Sequence, residues 1–397
     1  MTADGDSREK IALLLQGGGA LGSYQAGAYQ TLAAAGLRPA WIAGISIGAI
    51  NAAIIAGNAP EHAVGRLREF WLQVSTSVTP FPVVEEALES TFGQVAAATT
   101  VMFGAPGFFK PRMFPAFAQV DVPPPELGYY DTRELKATLE RLADFDRINS
   151  RAADCMRLSL GAVSITSGNF RYFDSAHMRI GPEHVMASGA LPPGLPPIEI
   201  DGEHYWDGGL VSNTPLQYVL DEDGTDDLLA LQIDLFSARG PMPSNFFEAA
   251  EREKDVRYSS RTRLNTDMLK RRQAVALAAQ RLAERLPANF QDDPDLAILR
   301  KESNIPAMTL VHIIYKGKHR GASFAKDYDF SRVSVEAHWN AGRSDMSSIL
   351  ECDAWRTRKR PGPGELAVFD PLQYSTARRG RKPSTTRADS RMDQSKD

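Results

Sequence analysis

The chain has 397 residues, 43% hydrophobic and 24% charged, so it can bury a sizeable core in one large domain with additions or in two domains. Its formal net charge of -4 gives no reason to expect a nucleic-acid partner. Cys155 and Cys352 are too few for a disulfide framework and have no neighbours at metal-ligand spacing, so we interpret both as reduced thiols.

The first residues do not resemble a targeting or membrane-spanning segment. They are mostly polar and acidic, and the first apolar run, Ile11–Leu15, is too short for the core of a signal peptide. The apolar stretch Trp41–Gly57 contains Ser46 and Asn51 and is shorter than the roughly 20 residues of a spanning helix. We expect a cytoplasmic protein and leave open peripheral contact with the inner membrane face or a storage granule.

Two strand–turn–helix units follow each other at the start of the chain. The apolar run Ile11–Leu15 leads into a glycine-rich turn and then a helical stretch, Tyr24–Ala35. A second run beginning at Trp41 leads through Ser46 into a helical stretch that stops at Gly57. Solid apolar strands alternating with helices are typical of a parallel α/β sheet.

Further elements of the same kind are predicted downstream. The predicted strands are Arg157–Thr166 and Phe170–Phe173, joined as a hairpin, then Leu228–Leu235 and Thr309–Tyr315. The predicted helices are Glu248–Leu286, Ser331–Trp339 and Ser344–Leu350. From Arg378 onward the chain is basic and nearly free of apolar residues, which predicts disorder.

The tract Phe81–Pro125 is unusually rich in Phe, Pro and Gly. Its clustered phenylalanines are Phe103, Phe108, Phe109, Phe114 and Phe117. The tract is either a cover over an apolar site or an irregular insertion whose aromatic rings pack inward, and the composition does not separate the two.

Gly44-Ile45-Ser46-Ile47-Gly48 has the pattern of a nucleophile elbow. A sharp strand-to-helix turn lifts the serine hydroxyl away from the sheet, and glycines two residues to either side let the backbones pass closely. A strand-like run precedes the pattern and a helix-like run follows it, which is the required context. We therefore predict that Ser46 is a nucleophile rather than an ordinary turn residue.

The glycine loop, residues 17–22, reads Gly-Gly-Gly-Ala-Leu-Gly and also fits a dinucleotide-binding pattern. That interpretation needs an acidic residue at the end of the second strand, where this chain has Gly44-Ile45-Ser46. Backbone N–H groups at a glycine-rich helix start can instead bind an oxyanion. We predict an oxyanion hole formed by Gly17, Gly18 and Gly19.

Asp207-Gly208-Gly209 is the third motif, and by itself it would be an ordinary turn. The three motifs occur in one order, together with Ala49-Ile50-Asn51, Ala187–Ala190 and the run from Asp207 to Pro215. In that combination, over about residues 10–236, the chain resembles the patatin-like phospholipase family. The resemblance implies a three-layer α/β/α fold with a mainly parallel sheet, plus a mixed C-terminal extension packed on it.

The resemblance also implies a serine acyl-ester hydrolase of the phospholipase A type, with a Ser–Asp dyad. Ser46 would be the nucleophile and Asp207 its base, with no metal or cofactor. Many members have Arg or Lys where this chain has Leu21, which leaves the head-group charge of a substrate undetermined. The expected partner is a lipid or polyester acyl substrate, and the oligomeric state is not predicted.

Three parts are expected: an acyl-hydrolase domain (residues 1–245), a C-terminal extension of undetermined role (residues 246–374) and a disordered basic tail (residues 375–397). Lys326–Arg332 and His338-Trp339 resemble an extension found in one bacterial branch of the family. Because some relatives in that branch are linked to intracellular polyhydroxyalkanoate metabolism, a depolymerase-like esterase is an alternative. A non-catalytic lipid-binding module is another.

A triad with a late histidine is the main rival mechanism. His312 and His338 could fill that position by chain order, but His312 is in a predicted strand and His338 in a predicted helix, so we interpret both as structural. His204 is only three residues before Asp207, in a predicted exposed hairpin. The sequence therefore favours the dyad.

Overall fold

The structure is a computed structural model that describes residues 9–75, 96–112, 122–222, 227–287, 290–303, 306–317 and 326–369. The predicted basic tail, together with Phe114 and Phe117, lies outside these ranges. Cys155 and Cys352 are both free thiols.

A nine-stranded, mainly parallel sheet forms the centre of the protein. Its strands are β1 (Lys10–Leu15), β2 (Trp41–Ile45), β5 (Arg157–Ser164), β6 (Phe170–Asp174), β7 (Ile198–Ile200), β8 (Glu203–Asp207), β9 (Leu228–Asp234), β10 (Met308–Ile314) and β11 (Leu366–Phe369). The order is β11-β10-β9-β1-β2-β5-β8-β7, with β6 also paired to β5. Two short strands, β3 (Lys110–Pro111) and β4 (Tyr130–Asp131), pair separately.

Helices cover both faces of the sheet. They are α1 (Gly22–Ala34), α2 (Ile47–Ala56), α3 (Pro60–Val74), α4 (96–103), α5 (Arg133–Leu142), α6 (Phe145–Ile148), α7 (Pro182–Ser188), α8 (Leu216–Glu222), α9 (Phe246–Ala283), α10 (Pro294–Ser303), α11 (Arg332–Glu351) and α12 (Asp353–Arg356). No helix within the described ranges combines the length and apolar character needed to cross a bilayer.

The alternation of side chains along β1 separates two apolar cores. Leu13 and Leu15 face a core shared with α1, α2, α3 and α11, whereas Ala12 and Leu14 face a second core shared with α8 and α9. The predicted three-layer α/β/α fold is therefore confirmed. Because β1 and β2 are parallel neighbours, the loops that follow them lie next to each other at the carboxyl ends of the strands.

Strand β5 also brings the end of β8 to the carboxyl ends of β1 and β2. Its residues 159–161 pair with β2 and with β6, so these two strands lie on opposite sides of β5. Residues 162 and 163 pair with β6 and with β8, so β8 occupies the side that β2 has left. Asp207, the last residue of β8, pairs with Ala162 just beyond the end of β2. The sheet topology thus directs Asp207 towards Ser46.

The C-terminal extension continues the central sheet and its helical layer. Strand β10 pairs with β9 in parallel, and β11 pairs with β10. On one face, α11 packs against α1. The two helices predicted at Ser331–Trp339 and Ser344–Leu350 are a single helix, because Gly342 provides a close approach to α1 rather than a break.

Candidate active site

Ser46 lies on a strained turn between β2 and α2. Its φ of 58° and ψ of -127° lie in a region that L-residues rarely adopt. A Cβ added to Gly44 would lie 2.3 Å from the Gly48 carbonyl oxygen, and one added to Gly48 would lie 2.4 Å from that of Leu15. The two glycines therefore allow the elbow to form, as the sequence predicts.

The Ser46 backbone is held from the far side by the end of α7. The Ser46 amide lies 3.1 Å from both the carbonyl oxygen and the hydroxyl oxygen of Ser188. The Ser188 hydroxyl donates in turn to the Gly161 carbonyl of β5 at 2.6 Å. These bonds offset part of the cost of the strained conformation and fix the direction of the Ser46 side chain.

The glycine loop lies directly beside Ser46. A Cβ added to Gly17 would lie 2.9 Å from the Ser46 Cβ and 2.4 Å from Asn213 Oδ1. The Asn213 side-chain amide donates to the Gly17 carbonyl at 3.0 Å. Across the described residues, the amides of Gly17, Gly18 and Gly19 donate to no protein acceptor. No described residue therefore competes with a ligand for these amides.

A buried polar network anchors the root of the glycine loop. The Gln25 side chain donates to the Gln16 carbonyl at 2.7 Å and accepts from Asn51 at 3.0 Å. Trp71 Nε1 donates to Asn51 Oδ1 at 3.0 Å. Gln16 Oε1 accepts from the Leu235 amide at 2.6 Å. A satisfied buried network of this kind holds the loop in one arrangement relative to α2.

Asp207 is 2% exposed and faces Ser46. Its carboxylate accepts the Gly209 amide at 2.7 Å and lies beside the Ser46 side chain. Burial raises the pKa of Asp207 to about 6, although the Ser46 side chain and the Gly209 amide both act in the opposite direction. The carboxylate is therefore more basic than that of an exposed aspartate while still ionising near neutral pH.

The pocket above Ser46 and Asp207 is largely apolar. Its walls include Ile47, Ile50, Val101, Phe108, Phe109, Tyr130, Leu191, Leu195, Phe236, Tyr258, Tyr328 and Phe330. Within the Phe-rich tract, Phe108 and Phe109 pack inward and form part of this wall, whereas Phe103 is exposed. For the described phenylalanines, the inward-packing interpretation thus holds at two of three positions.

The histidines of the rival triad lie elsewhere. His312 is buried in β10, where its Nδ1 is 3.9 Å from Asp234 Oδ2, and His338 is buried in α11 against the Tyr315 ring. His204 is in β8, close to Glu199. Of the described residues that line the pocket, none is a histidine.

Several pocket residues were not singled out as site residues from the sequence. Tyr258 comes from α9, and Asp327, Tyr328 and Phe330 come from the segment before α11. All four belong to the C-terminal extension, whose role the sequence leaves undetermined. Lys326–Arg332 resembles a family segment, but nothing in its composition indicates that it contacts the glycine loop. Asn213 lies in the run from Asp207 to Pro215, but only the folded chain shows its contact with Gly17.

Comparison with known families gives two matches. Residues 13–220 match the family described as patatin-like phospholipase, and residues 256–362 match a family described as patatin phospholipase. No curated protein matches the chain significantly.

Solved structures give more distant similarities. VipD from Legionella pneumophila is 14% identical with a TM-score of 0.35, and the match covers 85% of this chain and 67% of VipD. Human GIVD cytosolic phospholipase A2 in complex with methyl gamma-linolenyl fluorophosphonate is 12% identical with a TM-score of 0.37, and the match covers 89% of this chain. This match spans 60% of the length of the human enzyme.

Proposed function

This chain belongs to the patatin-like phospholipase family, and on that premise we propose that it is a serine hydrolase of lipid acyl esters. In this proposal Ser46 is the nucleophile, Asp207 is its general base, and Gly17, Gly18 and Gly19 form the oxyanion hole. The observation that carries it is a buried carboxylate beside Ser46, next to three glycine amides that donate to no acceptor among the described residues.

The first half of the reaction acylates Ser46. Its hydroxyl oxygen attacks the ester carbonyl carbon while the hydroxyl proton moves to Asp207. The C–O bond to the alcohol then breaks, and the alcohol leaves with the proton from Asp207. The raised pKa of Asp207 favours this exchange, because a catalytic base works best when its pKa is near the working pH.

The carbonyl oxygen becomes negatively charged in the tetrahedral intermediate. The amides of Gly17, Gly18 and Gly19 donate to no acceptor among the described residues, so these donors need not first be freed from such a bond. Ser46 also lies at the N-terminus of the ten-residue helix α2, whose dipole favours negative charge. Both effects stabilise the transition state more than the uncharged ester.

The second half of the reaction releases the acid. Water gives a proton to Asp207 and attacks the acyl carbon, after which Ser46 leaves and takes the proton back. Throughout, the apolar walls around Phe108, Phe109 and Leu195 contact the acyl chain and exclude other water molecules. In this proposal the lipid enters at the carboxyl ends of the strands, where the loops that line the pocket meet.

The test is hydrolysis of p-nitrophenyl butyrate by the wild type, Ser46→Ala and Asp207→Asn, with folding checked by circular dichroism. We expect both folded variants to lose at least about 1,000-fold in kcat, because each removes a group that acts directly in the reaction. Activity that survives Ser46→Ala would move the chemistry to another residue. An inactive wild type would favour the binding-module alternative.

His338→Gln is the matched control for the rival triad. His338 is buried but does not line the pocket, so this variant should keep kcat within about threefold of the wild type while it remains folded. Loss of activity in a folded His338→Gln or His312→Gln variant would contradict the dyad.

A further inference from the structure

The C-terminal extension touches the glycine loop directly. The Ala20 amide donates to the Asp327 carbonyl oxygen at 2.9 Å. Gly19 has a φ of +55°, and a Cβ added there would lie 2.2 Å from the same oxygen. The loop is thus in van der Waals contact with a residue more than three hundred positions later, at the point where the proposed oxyanion hole lies.

This contact divides the amides of the loop into two groups. The Ala20 amide is bound by the extension, and the Leu21 amide donates to the Gly18 carbonyl at 3.2 Å. The amides of Gly17, Gly18 and Gly19 have no acceptor in the described part of the chain. Because neighbouring peptide planes share a Cα atom, the bond to Asp327 helps to set the direction of the Gly19 amide.

Ion pairs made by the side chains of Lys326 and Asp327 hold the backbone that carries this carbonyl. We name residues 326–330 the latch segment. Lys254 of α9 donates to the Asp327 carboxylate at 2.9 and 3.1 Å, and Lys326 pairs with Glu251 at 3.0 Å and Asp255 at 2.7 Å. All of these side chains are less than one-fifth exposed. Partly buried, charge-assisted hydrogen bonds hold the latch segment against one face of α9.

The latch segment also reaches the opposite wall of the pocket. The Phe330 ring stacks on Trp71 at a centroid distance of 6.3 Å and meets the edges of Phe108 and Phe109 at 6.0 and 6.2 Å. Trp71 in turn belongs to the network that anchors Gln16. The latch segment is therefore fixed at both ends, and the Asp327 carbonyl lies between the two attachments.

We propose that Asp327 is a positioning residue of the active site: its carbonyl orients the glycine loop, and its ion pair with Lys254 keeps that carbonyl in place. The C-terminal extension then supports turnover as well as folding. This inference rests on the proposed function, since it concerns the oxyanion hole of that reaction.

The test uses the full chain with Lys254→Met and Asp327→Asn, each of which removes the ion pair and keeps the backbone carbonyl. We expect kcat for p-nitrophenyl butyrate to fall at least about tenfold, since shifts of about 1 Å at a catalytic site cost up to about 100-fold. KM should change less than about twofold, because the oxyanion forms only after binding. Lys254→Arg keeps a cation for Asp327 and should recover most of the lost kcat.

The matched control is the ion pair between Arg68 of α3 and Glu336 of α11, at 2.5 Å. This pair joins α3 of the first half of the chain to the extension, and neither residue lines the pocket. Arg68→Met and Glu336→Gln remove an ion pair that is about one-third exposed, so they should lower the melting temperature no more than the latch variants do and keep kcat within about twofold. If Lys254→Met does not fold, the more conservative Asp327→Asn decides the outcome.

Two results would overturn the inference. If folded latch variants keep the kcat of the control variants, or change KM alone, Asp327 does not position the loop. In that case the wild type is active and Ser46→Ala is not, so the proposed function stands. If the wild type neither hydrolyses the ester nor forms an adduct with a fluorophosphonate at Ser46, the proposed function fails and the inference fails with it.

Discussion

Ser46 and Asp207 both occupy energetically unfavourable states in the folded protein: Ser46 has a strained backbone, and Asp207 is a buried carboxyl group. A serine with a φ of 58° costs about 1–3 kcal/mol relative to a relaxed backbone. Besides Ser46, Asp201 in a hairpin turn is the other described non-glycine residue with a positive φ. The strained conformation of Ser46 persists because Gly44 and Gly48 allow the close backbone contacts of the turn. The hydrogen bonds that the Ser46 amide donates to Ser188 also stabilise it. Such strain is expected where a side chain must be presented for chemistry.

Burial makes the ionised form of Asp207 unfavourable in the folded protein. A pKa of about 6 instead of 3.8 means that ionisation costs about 3 kcal/mol more in the folded chain than in the unfolded one. Because the pKa is higher in the folded state than in the unfolded state, proton binding by Asp207 stabilises the fold at low pH. This stabilisation is fully present below pH 4 and is lost as the pH rises through about 6. The proposed base therefore ionises at the expense of fold stability.

The first prediction concerns the pH dependence of activity. Because the base must be ionised, kcat/KM for an uncharged ester should rise with pH to a plateau, with a midpoint near 6. The measurement is the initial rate of p-nitrophenyl butyrate hydrolysis at low substrate concentration from pH 4.5 to 8.5. Release of p-nitrophenol is followed at a wavelength where its two protonation states absorb equally.

Asp207→Asn supplies the matching stability measurement. Its gain in the free energy of unfolding, relative to the wild type, should be larger at pH 8 than at pH 4.5 by about 2 kcal/mol, because the amide never ionises. A midpoint near 4, together with a gain that does not depend on pH, would show that Asp207 is an ordinary exposed-type carboxyl group.

At the scale of elements, the contact between α1 and α11 joins the two halves of the chain. A Cβ added to Gly27 of α1 would lie 1.9 Å from the Trp339 carbonyl oxygen, and one added to Gly342 of α11 would lie 2.0 Å from that of Tyr24. Trp339 Nε1 also donates to Gln30 Oε1 at 2.7 Å across the same interface. The helices therefore cross backbone to backbone, at a distance that only glycine permits.

The second prediction tests this crossing with Gly342→Ala. The added methyl group must push the two helices apart, so we expect a loss of about 1–3 kcal/mol in the free energy of unfolding. Gly65→Ala in α3 is the matched control, because a Cβ there meets nothing within 4 Å. It should stabilise the protein by roughly 0.5–1 kcal/mol, as alanine favours the helix over glycine. Urea unfolding measures both, and equal effects would contradict the close crossing.

The sequence predicts individual elements better than their assembly. Strands such as β1, β2 and β9 are solid apolar runs, and the elbow at Ser46 is a local pattern, so each was found within a residue or two. Gly342 has the same local appearance whether it separates two helices or lets one helix approach another, and the two helical stretches predicted on either side of it are one helix. The contact between Asp327 and Ala20 depends on long-range packing and leaves no local periodicity.

At the scale of the whole molecule, the two matched regions share one sheet and one core. The family match at residues 13–220 ends before β9, and β9 lies between β1 and β10. Strand β10 covers the side of β9 that would otherwise be an edge, and α11 covers the apolar face of α1. A division of the chain at residue 245 therefore places the paired strands β9 and β10 in different parts. It also separates the pocket wall formed by Tyr258 and Phe330 from Ser46 and Asp207.

The last prediction follows from that shared core. A chain ending at residue 245 loses β10, one of the two partners of β9, and exposes the face of α1 around Tyr24 and Ala28, both fully buried in the intact protein. An uncovered sheet edge next to an uncovered apolar helix favours aggregation over folding. We expect the shortened chain to be insoluble, or to unfold without the single cooperative transition of the full chain. A chain ending at residue 369 keeps every described strand and is the matched control, with an unfolding midpoint close to that of the full protein. Circular dichroism during urea unfolding compares the three. A soluble, cooperatively folded and catalytically active chain of 245 residues would show that the first part is an independent domain, and would remove the structural basis for assigning the latch segment a role in turnover.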